Sequence, residues 1–256
     1  MPQKTTPNPC ANRFIYSLVG LATVSLLPNS GFAADSPQQE EERPNILFIM
    51  ADDHTSQAWG CYGSRLSEYA PTQNIDRLRR QGALLQNCFC TNSISVPSRA
   101  SILTGQYGHL NGAKTLRGRL DPDRDNLAKR LQEAGYQTAI VGKWHLKSQP
   151  SGFNYYNVLH GQGRYHNPIL YEKSMNWEGE GKKYSGHSVD VITSQALNWL
   201  KNQKDNEKPY CMMLHYKSVH EPFYGADRYR WLYKGEKLAE PKDLLWDESP
   251  KNKVFR

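Results

Sequence analysis

No stretch of this chain stays apolar for the ~20 residues that a bilayer-spanning helix needs, so a stable membrane anchor is not expected. Glycine (19) and proline (15) are too few in 256 residues for a collagen-like or low-complexity chain. Charged residues make up 22% and hydrophobic ones 38%, which excludes a disordered composition and predicts a packed core. A strong charge of one sign is also missing. The net charge is +7, from 32 Lys+Arg against 25 Asp+Glu, and the basic residues of "DRLRR" and "LRGRL" stand among acids instead of forming the stripe that nucleic acid requires. A nucleic-acid partner is therefore not expected, whereas a mild attraction for anionic substrates is. Cysteines number five. With Cys10 in the leader, Cys61, Cys88, Cys90 and Cys211 allow three disulfide pairings between which the sequence does not choose; a lone Cys-x-Cys is a weak metal signal, and buried thiols are the expectation. Neither G-x-S-x-G nor H-E-x-x-H occurs, and "GYQTAIVGKW" has the wrong glycine spacing for a phosphate-binding loop.

What is present begins with an export signal. "FIYSLVGLATVSLL" (Phe14 to Leu27) follows a basic leader and precedes the small-residue site "GFAAD", which predicts cleavage near Ala33 or Ala34 and a periplasmic or secreted protein. Residues 1–34 are thus a signal peptide, 35–44 a polar flexible lead, and 45–256 the folded domain. "NILFIM" is a continuous apolar run of strand length, suited to a central strand buried on both faces of a parallel sheet. It ends on Asp52 and Asp53, at the carboxyl end where open α/β sheets place their ligands. "NIDRLRRQG" predicts a helix closing on Gly82, and "DNLAKRLQEAG" a helix capped by Asp125 with Leu127, Leu131 and Ala134 on one face. "YQTAIVG" then predicts a strand running into Lys143 and His145. Val189, Ile192, Ala196, Trp199 and Leu200 trace a helix stripe before the strand "YCMMLHY", and His220 follows that strand. Strands alternating with helices predict an α/β fold, a doubly wound and mostly parallel sheet sandwiched by helices.

The chemistry is carried by "SVPSRASILTG" (Ser95 to Gly105). Pro97 sets φ for a first helical turn, so Ser95 stands at a helix N-terminus whose free N–H groups favour an anion, and Arg99 adds a permanent charge with forked donors. Together with "ADDH" and "GKWHL", this string resembles the sulfatase family in its serine-type form, whose signature is Ser or Cys, any residue, Pro, Ser, Arg, then Thr-Gly. The resemblance runs from about Arg43 to Phe223. It implies that Ser95 is oxidised by a maturation enzyme, before export, to formylglycine. The hydrated aldehyde of that residue attacks sulfur, and its second hydroxyl lets the sulfate leave by elimination. It further implies that Asp52, Asp53 and position 95 ligate calcium with hard oxygen donors, that Lys143 and Arg99 hold the sulfate, that His145 is a base with a pKa near neutral, and that His220 donates to the sulfate or to the leaving oxygen. The segments "HGQGRYHNP" and "MLHYKSVHEPF" resemble bacterial sulfatases acting on N-acetylglucosamine 6-sulfate in heparan or mucin glycans. Gln162, Arg164, Tyr165 and Asn167 are then expected to line a sugar subsite. His54, His109, His160, His166, His187 and His215 receive no role.

The resemblance also implies a later metal-binding stretch of the "SDHG" or "TDNG" kind, and nothing after His220 matches it. Asp125-Asn126 and Asp205-Asn206 do not follow buried strands and are rejected as substitutes. The expectation is an incomplete catalytic domain with weak calcium binding. It leaves three readings: a sulfatase whose sequence is cut short; a fragment that at most binds sulfated sugars; or a zinc phosphohydrolase of the alkaline phosphatase superfamily, which the Ser-x-Pro-Ser-Arg string argues against.

Overall fold

The apolar runs become strands and the segments of helical period become helices in the computed structural model, which describes residues 43–202 and 207–238. In chain order the elements are β1 (Ile46–Asp52), α1 (Gln73–Gln81), α2 (Ser95–Thr104), α3 (Gly108–Asn111), α4 (Leu127–Glu133), β2 (Gln137–Lys143), β3 (Tyr155–Leu159), β4 (Ile169–Glu172), β5 (Lys182–Lys183), α5 (Ser188–Lys201) and β6 (Tyr210–Val219), with short 3-10 turns between β1 and α1 and after β6. The signal peptide, most of the polar lead and Asp205-Asn206 lie outside the described residues. None of the described helices is long and apolar enough to cross a membrane.

The strands form one sheet in the order β1-β6-β2-β3-β4-β5. The pairs β1–β6, β6–β2 and β2–β3 are parallel, and β3–β4 and β4–β5 are antiparallel. The expected α/β architecture is therefore present. Its layers follow from the pleat, which sends successive side chains to opposite faces. Ile140 and Met213 pack under Val96, Ala100 and Leu103 of α2 and Ala128 of α4, while their neighbours Ala139, Val141, Met212 and Leu214 pack against Val191, Ile192 and Ala196 of α5. Ile140, Val141 and Met212 are fully buried, a burial worth ~1.5–3 kcal/mol for each such side chain.

Four local expectations need correction. β1 is an edge strand among the described residues, not a central one, and Leu47 and Ile49 are 50% and 54% exposed. An apolar run reports only that a strand is suited to burial. Its covering is decided by neighbours, and here the central places fall to β6 and β2. α4 is capped by Asn126, whose side chain accepts from the Lys129 N–H, while Asp125 pairs with Arg130 at 2.7 Å. Its core contact is Ala128; Leu127 and Ala134 face solvent. In α5, Val191 joins Ile192 and Ala196 in the core in place of Val189. The four described cysteines are free; Cys211 is buried as expected, but Cys88 and Cys90 are exposed.

Candidate active site

Four segments bring their polar residues to the carboxyl end of the parallel strands. A register shift between Ala51 and Asp52 sets Asp52 opposite Val219 of β6 and leaves its carboxylate 6% exposed. β2 delivers Lys143 as its last residue, fully buried. Gly142 precedes it at φ 104°, and a Cβ there would stand 1.9 Å from the His215 carbonyl oxygen, so β2 can lie this close to β6 only with glycine at that position. α2 begins at Ser95 itself, with extended Ile94 as N-cap and the Ser98 N–H bonded to the Ile94 carbonyl at 3.0 Å. One turn on, Arg99 points back beneath Ser95.

The resulting cluster is tightly bonded. Arg99 donates to Asp52 Oδ1 at 3.0 Å, to the Lys143 carbonyl at 2.8 Å and, through Nε, to Ser95 Oγ at 3.3 Å. Lys143 Nζ donates to Asp52 Oδ2 and, at 2.6 Å, to Gln162 Oε1. His145 Nδ1 stands 3.2 Å from Ser95 Oγ. Asp53 and His145 both adopt left-handed backbone, φ 57° and 55°, a conformation that costs non-glycine residues energy and concentrates at functional sites. Arg99 and His145 therefore meet Ser95 itself, and Asp52 and Lys143 meet Arg99, whereas Asp53 stands apart from them beside His220. His220 lies at the rim, its Nε2 3.7 Å from Asp53 Oδ2 and its Nδ1 2.7 Å from the Glu221 carbonyl oxygen. Asp53 itself is 62% exposed.

Burial and neighbouring charges set the protonation states. Burial opposes ionisation of Asp52, but Arg99 and Lys143 outweigh it and hold the carboxyl below its ordinary range. Burial lowers Lys143 to about 8, with Asp52 limiting the drop. Burial, then Lys143 and Arg99, push His145 down to about 4. The expectation of a His145 pKa near neutral is thus corrected: burial disfavours the charged ring, and two cations facing it disfavour a third. At pH 7 the imidazole is neutral, and its Nδ1 can accept the Ser95 hydroxyl proton. An anion bound between Arg99 and Lys143 would ease that repulsion and make His145 a stronger base.

The donors for calcium fit in kind and fall short in number. Asp52 and Asp53 are hard oxygen ligands, but both oxygens of Asp52 are engaged by Arg99 and Lys143, and no group of three or more His, Cys, Asp or Glu able to hold a metal occurs among the described residues. Calcium takes ~6–8 oxygens.

Sequence reasoning left out two residues of this site, His215 and Lys217. His215 is 4% exposed; its Nδ1 lies 3.2 Å from the Lys143 carbonyl oxygen and 3.4 Å from Arg99, and its buried Nε2 has no partner among the described residues. Burial, then Arg99, lower its pKa to about 3. Lys217 is 3% exposed. The signal was available: with a period of two, His215 and Lys217 share the face of Met213 in an otherwise apolar strand.

A sequence model described as Sulfatase matches residues 44–243. The chain belongs to the sulfatase family. N-acetylglucosamine-6-O-sulfatase of Bacteroides thetaiotaomicron is 40% identical over 243 residues, covering 93% of this chain and 41% of that protein. Arylsulfatase G of Rattus norvegicus is 39% identical over 151 residues, covering 54% of this chain and 28% of that protein. Among solved structures, BT4656 in complex with its substrate D-glucosamine-2-N,6-O-disulfate superposes with a TM-score of 0.73 at 41% identity, over 78% of this chain and 40% of that one. A phosphonate monoester hydrolase of Agrobacterium radiobacter, at 18% identity and a TM-score of 0.55 over 74% of this chain and 44% of that one, shares the fold alone. This sulfatase chain spans about 40% of the length of the N-acetylglucosamine-6-O-sulfatase and of BT4656.

Proposed function

We propose that this chain carries the sulfate-binding and nucleophile-bearing part of an exported sulfatase that hydrolyses the 6-O-sulfate ester of a glucosamine-type sugar in sulfated glycans. The observation that carries the reading is the placement of Ser95 Oγ within 3.2–3.3 Å of both His145 and Arg99, with Lys143 buried behind. The 40% identity to an N-acetylglucosamine-6-O-sulfatase supports the sugar class. The sequence signal at residues 14–34 supports a periplasmic or secreted location.

The residues divide the work. Arg99, with its fork shared between Asp52 and Ser95, and Lys143 hold the tetrahedral anion and neutralise charge that develops on its oxygens. His145, neutral at pH 7, takes a proton from the side chain at position 95 at Nδ1. His220, at the rim beside Asp53, is placed to give a proton to the departing sugar oxygen. Formylglycine formed from Ser95 would supply a nucleophilic hydroxyl and a second one that releases the sulfate, so the side chain is regenerated; an unmodified serine would stop as a stable sulfate ester. Asp52 and Asp53 would contribute to a calcium site, completed by water or by residues outside those described, and the ion when bound would withdraw charge from the sulfate oxygens.

A second reading, a chain that binds sulfated sugars without turnover, is favoured by the short supply of metal ligands. One experiment separates the two. The chain is co-expressed with a serine-oxidising maturation enzyme, the peptide containing Ser95 is weighed, and sulfate release from N-acetylglucosamine 6-sulfate is followed. A peptide lighter by two hydrogens together with multiple turnover is expected. An oxidised peptide with no sulfate release would leave only the binding reading, and an unchanged peptide would refute the formylglycine step.

A further inference from the structure

His220, the group at the rim of the site, is carried by a turn and not by a strand. β6 ends at Val219, and the turn's own backbone bonds run from the His220 N–H to the Lys217 carbonyl at 3.1 Å and from the Phe223 N–H to the His220 carbonyl at 3.3 Å. The imidazole is fixed within the turn as well. Its Nδ1 stands 2.7 Å from the Glu221 carbonyl oxygen, which can only accept, so Nδ1 carries the hydrogen and Nε2 is the nitrogen turned toward Asp53. Where Nε2 points therefore depends on where the turn as a whole is held.

Tyr165 supplies a bond to the turn from outside it. The side chain comes from the loop between β3 and β4, and its hydroxyl donates to the His220 carbonyl. The residue is 4% exposed, so it has little ring surface to offer a sugar. Its other groups tie it to the start of α5. The Tyr165 carbonyl accepts from the Ser188 N–H at 2.6 Å, and the ring stacks on His187 with centroids 5.6 Å and planes 27° apart. His187 is itself held at both nitrogens: Nδ1 accepts from the Val189 N–H at 3.3 Å, and Nε2 donates to the Tyr224 carbonyl at 3.0 Å. One buried residue thus links the His220 turn to the N-terminus of a helix. A reacting group on a loop is precise only where a rigid element supports it, and an error of ~1 Å in its position costs on the order of 10²-fold in rate.

We propose that Tyr165 is a positioning residue for the leaving-group step: its hydroxyl, braced against α5, holds the His220 turn so that Nε2 faces the sugar oxygen of the ester bound at Ser95. This rests on the functional reading above and adds to it a residue that acts through His220 without touching the reacting atoms.

The test compares the full chain with Tyr165→Phe, His220→Ala and the double variant, each co-expressed with the maturation enzyme and assayed on N-acetylglucosamine 6-sulfate. Tyr165→Phe keeps the ring and its stacking on His187 and removes one hydroxyl. Its kcat is expected to fall by ~10–100-fold, with KM within about twofold of the parent's. The amides of residues 220–224 should exchange hydrogen faster, while those of β2 keep their parental protection. In the His220→Ala background the same hydroxyl should change kcat by less than about twofold, because the group it positions is gone. A fall of the same size in both backgrounds would show that the hydroxyl acts independently of His220 and would overturn the proposal, as would an unchanged kcat or unchanged exchange in the turn; the functional reading would stand in each case. Lost protection in β2 would show that the hydroxyl supports the sheet at large, which also overturns the positioning role. If the oxidised parent releases no sulfate, the functional reading falls and the proposal falls with it.

Discussion

Acidification from pH 7 to pH 5 should destabilise this protein through His215, by an amount the structure allows to be worked out. The ring is 4% exposed, faces Arg99 at 3.4 Å and has an Nε2 unpartnered among the described residues; burial and that guanidinium lower its pKa to about 3. In the unfolded chain the same histidine titrates near ~6.5. Between pH 7 and pH 5 the unfolded state therefore takes up a proton that the native state refuses, and stability falls as pH drops below ~6.5, levelling off only near the folded value. By pH 5 the loss from this one group is ~2 kcal/mol. His145, lowered to about 4, adds a loss of similar size in the same window. Asp52, whose carboxyl is lowered from an ordinary value of 3.8, stabilises above that value and loses its contribution only at lower pH, so it does not contribute between pH 7 and pH 5. Urea unfolding at the two pH values, on the parent chain and on His215→Phe, isolates the effect. Any constant cost of the substitution cancels in the pH difference, and the variant should lose ~2 kcal/mol less than the parent on acidification. Equal losses in the two proteins would show that His215 is not held neutral in the fold.

Three further outcomes follow from the same geometry. Arg99→Met leaves Asp52 with one cation in place of two and strips a donor from the Lys143 carbonyl; denaturant titration should show a loss of ~3–5 kcal/mol, and a loss below 1 kcal/mol would mean the cluster relaxes into solvent. Gly142→Ala forces a Cβ to within 1.9 Å of the His215 carbonyl at φ 104°, so the soluble yield should collapse and any folded remainder should be destabilised by more than ~4 kcal/mol; a melting temperature near the parent's would show that β2 and β6 can separate. Calcium should bind this chain more weakly than micromolar by calorimetry, because Asp52 is engaged by two cations and Asp53 is the other acid at the strand end; micromolar binding would show that ligands outside the described residues complete the site.

Much of the site was legible along the chain because its chemistry is local. Ser95, Pro97 and Arg99 lie within one helical turn, so the spacing alone places a serine at a helix N-terminus and an arginine beneath it. Lys143 ends the buried strand β2 and His145 lies two residues beyond it, while Asp52 ends β1. The α/β alternation was likewise readable from period and length. Other features depend on partners far away in sequence. Whether β1 is covered depends on which strands flank it, and the cap of α4 depends on which of two adjacent acceptors reaches the Lys129 N–H. The low pKa of His145 depends first on the burial of its ring and then on Lys143 and Arg99 converging on it, which no local pattern encodes.

What the sequence by itself determined is the family and the alternation of the main strands and helices, β1, α1, α2, α4, β2, α5 and β6, since these rest on short-range spacing and side-chain chemistry; α3 and the strands β3 to β5 were not read from it. The tertiary structure alone decided the protonation states, the engagement of Asp52 by two cations, and the burial of His215 beside Arg99. Electrostatic interaction falls with distance and rises with desolvation, and both quantities exist only once β1, β2, β6 and α2 have met.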